Sequence, residues 1–191
     1  MVTLGSNHIG RIMNALAASA AACQLGINGD VIVAALEKSN AVASRFKALA
    51  LQKGTGTLID DAYNASPESM KAALLAFEKI ESKGNKIVVL GDMLELGVKS
   101  PFWHRQLGRF LRKVPSLTHV ILVGKQVELT KKTVPLGLHV QHVEDWKAAL
   151  CILEVLMAHK ESTILVKGSH GTLLYELVKE LTGKESGNVE Q

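Results

Sequence analysis

Lys86-Ile87-Val88-Val89-Leu90-Gly91-Asp92-Met93-Leu94-Glu95-Leu96-Gly97 is a short β-branched, apolar run that stops at a glycine and an acid. A continuous apolar run of this length has no polar face, so it reads as a strand buried on both sides. Four similar runs flank it: Thr57-Leu58-Ile59, His119-Val120-Ile121-Leu122-Val123, His139-Val140-Gln141-His142-Val143 and Thr163-Ile164-Leu165-Val166. Helical patterns over residues 67–82, 101–113, 126–132, 145–159 and 173–181 alternate with them. Strand and helix in regular alternation predict an α/β fold, a parallel sheet with helices on both faces. In such a sheet the functional loops gather at the C-terminal ends of the strands.

Upstream the texture changes. Residues 12–25 read IMNALAASAAACQL, rich in the best helix former, with Gly26 placed to end the helix. Leu16 and Leu25 suggest one apolar side and the alanines a closely packed one. A second helix is expected from Asp30 to Lys38, the aspartate suiting the helix dipole. Two such helices cannot enclose a core, so they read as the tail of a domain whose body lies elsewhere. The expected organisation is residues 1–42 as terminal helices of one domain, 43–183 as the α/β domain, and 184–191 as a polar, flexible tail.

Composition narrows the function. The 191 residues are 47% hydrophobic and 21% charged, which excludes a disordered chain. Only 4% are aromatic, so Ala, Leu, Val and Ile must build the core. The net charge of +4 is scattered and not interleaved with aromatics, which argues against a nucleic-acid partner. No apolar run is long enough to cross a membrane and no signal peptide opens the chain, so a cytoplasmic protein is expected. The two cysteines, Cys23 and Cys151, sit in apolar helical patterns outside any metal-ligand spacing; they are expected to be buried free thiols of a reducing compartment. There is no GxxxxGK[ST], no GxGxxG after a strand, no HExxH and no GxSxG.

Four strand ends carry the polar chemistry. The first is Asp60-Asp61-Ala62-Tyr63-Asn64-Ala65-Ser66-Pro67-Glu68-Ser69-Met70. Ser66, Pro67 and Glu68 are accounted for as a helix start. Of the paired carboxylates just upstream, one could cap the turn; a strand-end aspartate also suits the hydroxyls of a ribose, the role favoured for Asp61. The second is the Gly91–Gly97 loop with Ser100 and His104, which share a helix face four residues apart. That pair is open to two readings, a nucleophile with its base or a serine that only caps. The third is Val123-Gly124-Lys125. The fourth is Val166-Lys167-Gly168-Ser169-His170-Gly171, a turn whose amides and lysine could hold a carboxylate or phosphate, or whose glycines serve only the turn.

Taken together, Asn14-Ala15-Leu16-Ala17-Ala18, the DDAYNASPESM string, GDMLELG with Ser100 and His104, and Val166-Lys167-Gly168-Ser169 resemble the Mur ligases. Within that family the two long strings resemble the branch that adds D-alanyl-D-alanine. The resemblance runs from Leu4 to about Leu181 and covers the last helices of the family's central ATPase domain and its whole C-terminal domain, which implies a Rossmann-like, mostly parallel sheet with helices on both faces. It implies an ATP-dependent ligase that joins D-alanyl-D-alanine to UDP-N-acetylmuramoyl-tripeptide through an acyl phosphate in peptidoglycan precursor synthesis. ATP and Mg²⁺ are implied for the full-length enzyme, with no metal ligands and no catalytic residue in this stretch. The missing N-terminal and central domains are implied partners, and the chain alone is expected to be inactive.

By matching position, Asn14 is implied at the adenine, Arg45 at the phosphates and Asp61 at the ribose. Tyr63, Asn64, Asp92, Glu95, Ser100, His104, Lys167 and Ser169 are implied on the substrate side of the cleft. The chain departs from the family pattern where a His-Asn pair is replaced by Gly10-Arg11, a Gly-Arg by Ser44-Arg45, an arginine by His170, and a Met-Glu pair by Leu174-Tyr175. Alternatives from other classes are an amino-acid-adding Mur ligase, a non-catalytic α/β binding module, and a phosphate-handling enzyme acting through Asp60 or Asp61.

Overall fold

The computed structural model describes residues 9–38 and 46–183. Two compact units divide between Val42 and Ala43. The expected tail, residues 184–191, lies outside the described residues, and so does Arg45.

The first unit holds α1 (Ile9–Gln24) and α2 (Gly29–Lys38). Gly26 takes φ +74°, the left-handed conformation that lets the chain leave α1. Asp30 stands in the first turn of α2 and Lys38 in its last, both favourable to the helix dipole. Leu16 and Leu25, expected on one apolar side of α1, are exposed, as are Met13 and Val31.

The second unit runs β1 (Lys47–Ala50), β2 (Gly56–Asp61), α3 (Pro67–Glu78), β3 (Asn85–Gly91), α4 (Ser100–Phe110), β4 (His119–Val123), α5 (Glu128–Lys131), β5 (His139–Val143), α6 (Trp146–Met157), β6 (Ser162–Lys167) and α7 (Leu174–Thr182). The sheet order is β1-β2-β6-β3-β4-β5. Strands β2 to β6 pair in parallel; β1 alone is antiparallel, against β2. β1 was not expected. Its Lys47-Ala48-Leu49-Ala50 has no β-branched residue, and its place at the sheet edge next to β2 makes it a strand.

Both faces of the sheet are covered. On one, Ile59, Val88, Leu90, Val120, Leu122 and Leu165 pack against Met70, Leu74 and Phe77 of α3 and Leu107 of α4. On the other, Leu58, Ile87, Val89, Ile121, Ile164 and Val166 pack against Leu153 of α6 and Leu177, Val178 and Leu181 of α7. Alternate residues of one strand thus serve opposite cores, which is why the middles of β3, β4 and β6 are apolar without a break. Each fully buried leucine or isoleucine contributes about 1.5–3 kcal/mol of transfer free energy.

Local signals fix the helix ends. Ser66 and Ser69 form a reciprocal capping box at the start of α3, with Pro67 in its first turn. α3 stops at Glu78, short of the expected residue 82, because the buried Lys86 ammonium takes the carbonyls of Glu78 (2.9 Å) and Ile80 (2.7 Å). Asp145 caps α6 through the amide of Ala148. Both cysteines are free but exposed, against the expectation of burial. In α6 the sheet covers the stripe of Ala149, Leu153 and Met157, and Cys151 lies off it.

The winding places the site. β2 leads through α3 on one face to β3, whereas β6 leads to α7 on the other. Adjacent strands whose connections leave to opposite faces open a crevice at their C-terminal ends. In register, Asp61 of β2 stands beside Lys167 of β6, and Leu90 of β3 on its other side.

Candidate functional site

The crevice brings the strand-end motifs of β2, β3 and β6 into contact, and the motif after β4 packs beside them. Lys167 is 2% exposed, and its ammonium pairs with Asp61 Oδ2 at 2.8 Å and donates to the Asn64 carbonyl at 2.8 Å. Asp61 Oδ1 accepts from the amide of Phe46 at 3.1 Å. Asp60 is also buried, and its Oδ1 accepts from Ala62 N at 3.1 Å, closing a turn over the strand end. Neither carboxylate is presented as an accessible nucleophile, so the phosphate-handling reading finds no support here.

Ser169 joins the β6 turn to both neighbours. Its Oγ accepts from Leu94 N at 2.9 Å and faces the Ala65 carbonyl at 3.5 Å, and its N–H donates to the Asp92 carbonyl at 3.1 Å. Gly168 allows the approach: a Cβ there would stand 3.0 Å from Gly91 Cα and 2.7 Å from Thr172 Oγ1.

Asp92 points the other way, to the end of β4. Its Oδ1 accepts from the amides of Gln126 (3.0 Å) and Val127 (2.6 Å). Two successive N–H groups converging on one anion make a nest, here filled from within the chain. Gly124, at φ +117°, packs on this carboxylate so closely that a Cβ would lie 2.7 Å from Asp92 Cγ.

Ser100 and His104 form a third buried cluster. The reading of Ser100 as a helix cap is not met: Lys99 takes that position, and Ser100 is the first residue of α4. Met93 N–H donates to His104 Nε2 at 3.1 Å, so that nitrogen carries no proton. Nδ1 therefore bears the hydrogen and donates to the Ser100 carbonyl at 2.8 Å. Ser100 Oγ lies 3.1 Å from Nδ1 and donates to Gln126 Oε1. A base cannot accept a proton at the nitrogen that already holds one. Of the two readings of this pair, nucleophile with base is the one the hydrogen bonds exclude. His104, 0% exposed, instead ties the β3 loop to α4, and Thr130 Oγ1 ties α4 to α5 through the His104 carbonyl at 2.9 Å.

Above these buried ties the edge is open. Tyr63, Asn64, Glu95 and His170 are exposed around it. The three non-glycine residues with left-handed backbone among those described, Phe46 (φ 53°), Glu95 (φ 64°) and Leu173 (φ 57°), all lie in segments at this edge. Such conformations persist where surrounding structure enforces them, and they gather at functional loops. A cavity of about 500 Å³ opens at the opposite end of the strands, between Glu78, Lys83, Lys86 and Glu161. Burial pushes the Lys86 amine below its ordinary range, opposed by Glu78, and its donors are engaged in ending α3.

The sequence model described as "Mur ligase, glutamate ligase domain" matches residues 44–170, which include every strand and loop just described from β1 to the β6 turn. The chain belongs to the Mur ligase family. It is 36% identical over 171 residues to the UDP-N-acetylmuramoyl-tripeptide–D-alanyl-D-alanine ligase of Escherichia coli (strain K12), covering 89% of this chain and 36% of that protein. It is 33% identical over 172 residues to the enzyme of the same name from Bacillus subtilis (strain 168), covering 89% of this chain and 37% of that one. The crystal structure of MurF from Acinetobacter baumannii superposes with a TM-score of 0.82 at 32% identity, over 96% of this chain and 39% of that chain. The chain therefore spans a little over a third of the length of the relatives it matches.

Within this Mur ligase domain the expected residues fall into two classes. Asp61, Asp92, Ser100, His104, Lys167 and Ser169 are buried and hydrogen bonded inside the chain. Tyr63, Asn64 and Glu95 are exposed on the same edge. Asn14 is exposed on α1 of the first unit. Gln126 was not anticipated; only the glycine after β4 signalled a loop there, and its amide and side chain bridge Asp92 to Ser100. Among the described residues no group of three or more His, Cys, Asp or Glu could hold a metal ion, and no helix is long and apolar enough to cross a membrane.

Proposed function

We propose that this chain is the acceptor-side part of a cytoplasmic, ATP-dependent ligase that adds D-alanyl-D-alanine to UDP-N-acetylmuramoyl-tripeptide in peptidoglycan precursor synthesis. The observation that carries this reading is the meeting of the DDAYNASPESM, GDMLELG and KGS segments at one sheet edge, tied by Asp61–Lys167 and by Leu94–Ser169. The names of the relatives support the substrate pair.

The chemistry is amide formation. The tripeptide carboxylate is activated as an acyl phosphate by the terminal phosphoryl group of ATP, the dipeptide amine attacks the acyl carbon, and phosphate leaves. The acceptor must be held against an activated acid with water excluded, which is a matter of positioning. Asp92, Ser100, His104, Lys167 and Ser169 serve this from beneath, by fixing the loops. Tyr63, Asn64 and Glu95 are the members exposed to a ligand. Asn14, Arg45 and Asp61 are assigned to the adenine, phosphates and ribose of ATP. The described residues do not fit a Mg²⁺ site, so the metal is assigned to a domain carrying the phosphate-binding loop that this sequence lacks.

The test is dipeptide-dependent release of phosphate from ATP, with UDP-N-acetylmuramoyl-tripeptide present. The chain is assayed alone and with separately produced N-terminal and central domains of a related ligase. No turnover alone and dipeptide-dependent turnover on mixing are expected. Turnover by the chain alone, or none in the mixture, would overturn the proposal.

A further inference from the structure

The exposed rim above the buried ties has its own order. The His170 imidazole lies face to face on the Tyr175 ring, centroids 4.8 Å apart and planes 20° apart. It meets the Tyr63 ring edge-on, at 6.3 Å and 71°. These rings come from three places: the loop after β2, the turn after β6, and α7. Both geometries are favoured arrangements of aromatic rings, so the imidazole is held in orientation although it is exposed. Stacking engages the face of a ring and leaves its edge. Among the described residues nothing hydrogen bonds to either His170 ring nitrogen.

The β3 loop adjoins this stack. Leu94 N–H is bonded to Ser169 Oγ, next in sequence to His170. The Leu94 side chain lies so near Gly171 that a Cβ there would meet it at 2.8 Å. Glu95 follows Leu94 with its backbone in the left-handed conformation, and its side chain is exposed. A fixed N–H-bearing ring, an apolar side chain partly exposed beside a bare glycine, and a carboxylate thus succeed one another along one short rim. Their chemistry complements a small zwitterionic peptide: a carboxylate at one end, methyl side chains between, an ammonium at the other.

We infer that His170 is the residue that receives the carboxylate of the dipeptide acceptor, with Leu94 under its methyl groups and Glu95 toward its amino end. The inference rests on the acceptor reading proposed above. It assigns acceptor recognition to a residue outside the site residues expected from the sequence, and gives Tyr63 and Tyr175 the part of clamping its ring. An imidazole N–H donates to a carboxylate in either protonation state, as long as the ring is held.

The experiment is a titration of the chain, labelled with ¹⁵N and ¹³C in its histidines, followed by NMR. The two probes are D-alanyl-D-alanine and its C-terminal amide, which lacks the anion. The His170 ring signals are identified by their loss in His170→Gln. The expected result is that the acid moves those signals and binds about tenfold or more tightly than the amide, as a hydrogen bond to a charged group predicts. His170→Gln should bring the two ligands to similar affinity, and Tyr175→Leu should weaken the preference by freeing the ring. Equal binding of acid and amide by the wild-type chain, or a preference that survives His170→Gln, overturns the inference and leaves the acceptor reading standing. Binding of neither ligand anywhere on the chain overturns both.

Discussion

Lys167 Nζ and Asp61 Oδ2 stand 2.8 Å apart at the paired ends of β6 and β2, with only 3% and 12% of their side chains exposed. The lysine also closes on the Asn64 carbonyl, so one cation fastens the loop after β2 to the strand beside it. Taking either partner away leaves the other charge buried without its counter-charge. We predict that Asp61→Asn or Lys167→Met alone destabilises the second unit by about 3–5 kcal/mol, and that the double replacement recovers much of the loss. Urea unfolding of the three variants makes the double-mutant cycle. Single variants that differ from the parent by less than about 1 kcal/mol would remove the pair from the account of how the crevice is held.

Gly124 meets two constraints together, a φ of +117° and the Asp92 carboxylate against its α-carbon. Gly124→Ala should destabilise by at least about 1–3 kcal/mol from backbone strain alone, with further loss as Asp92 is pushed off the Gln126 and Val127 amides. Truncating the acid as well, in Gly124→Ala with Asp92→Ala, removes the clash but not the strain. Chemical denaturation should therefore show partial recovery at most. Full stability in the single variant would mean the nest is not formed as described.

The tautomer of His104 is open to direct observation. Its two acceptor and donor contacts require hydrogen on Nδ1. Long-range ¹H–¹⁵N correlation spectra of the ring should show Nδ1 protonated and Nε2 bare. Ser100→Ala should leave that pattern unchanged, because the serine carbonyl, not its hydroxyl, receives the hydrogen. A ring carrying its hydrogen on Nε2 would restore the nucleophile-and-base reading of the pair.

At the opposite end of the strands, His119 stacks on His139 with centroids 5.3 Å apart. Burial, then the neighbouring His139 and the Lys160 ammonium, hold the His119 imidazole below its ordinary value. A base weakened by folding binds its proton more readily in the unfolded chain. The stability it contributes is present above the unfolded value near ~6.5 and is lost as pH falls from there through the lower folded value. Urea midpoints should therefore drop as pH falls below about 6.5, and His119→Phe should flatten that dependence. Parallel curves for parent and variant would dispose of the assignment.

Much of the fold could be read from the residues because the central strands β3, β4 and β6 are apolar on both faces while most helices carry a polar one. His119–Val123 and His139–Val143 occur at the expected bounds, and Ser66-Pro67-Glu68 opens a helix as its chemistry demands. β1 escaped notice because four residues without a β-branch carry no periodicity. The position of β6 between β2 and β3 is a matter of long-range pairing that local pattern does not encode. The cysteines were misplaced for a related reason. An almost wholly apolar helix such as α6 does not declare which stripe will meet the sheet. At the site, the strings DDAYNASPESM, GDMLELG and KGS located the edge, but residue type alone did not separate Lys167 and His104, which support it from within, from Tyr63 and His170, which stand on it. That distinction depends on burial and on hydrogen-bond direction, both products of the completed fold.

The slot between β2 and β3 is filled by β6, the last in chain order of the described strands. While the polypeptide leaves the ribosome, β3, β4 and β5 have neighbours to pair with, but the facing borders of β2 and β3 stay bare until Ser162–Lys167 emerges. A nascent chain in that condition presents two apolar strand borders to other proteins, the condition that invites misassembly. Completion of the sheet and assembly of the Asp61–Lys167 corner are accordingly one event in time, so an unfinished product lacks both its interior and its working edge.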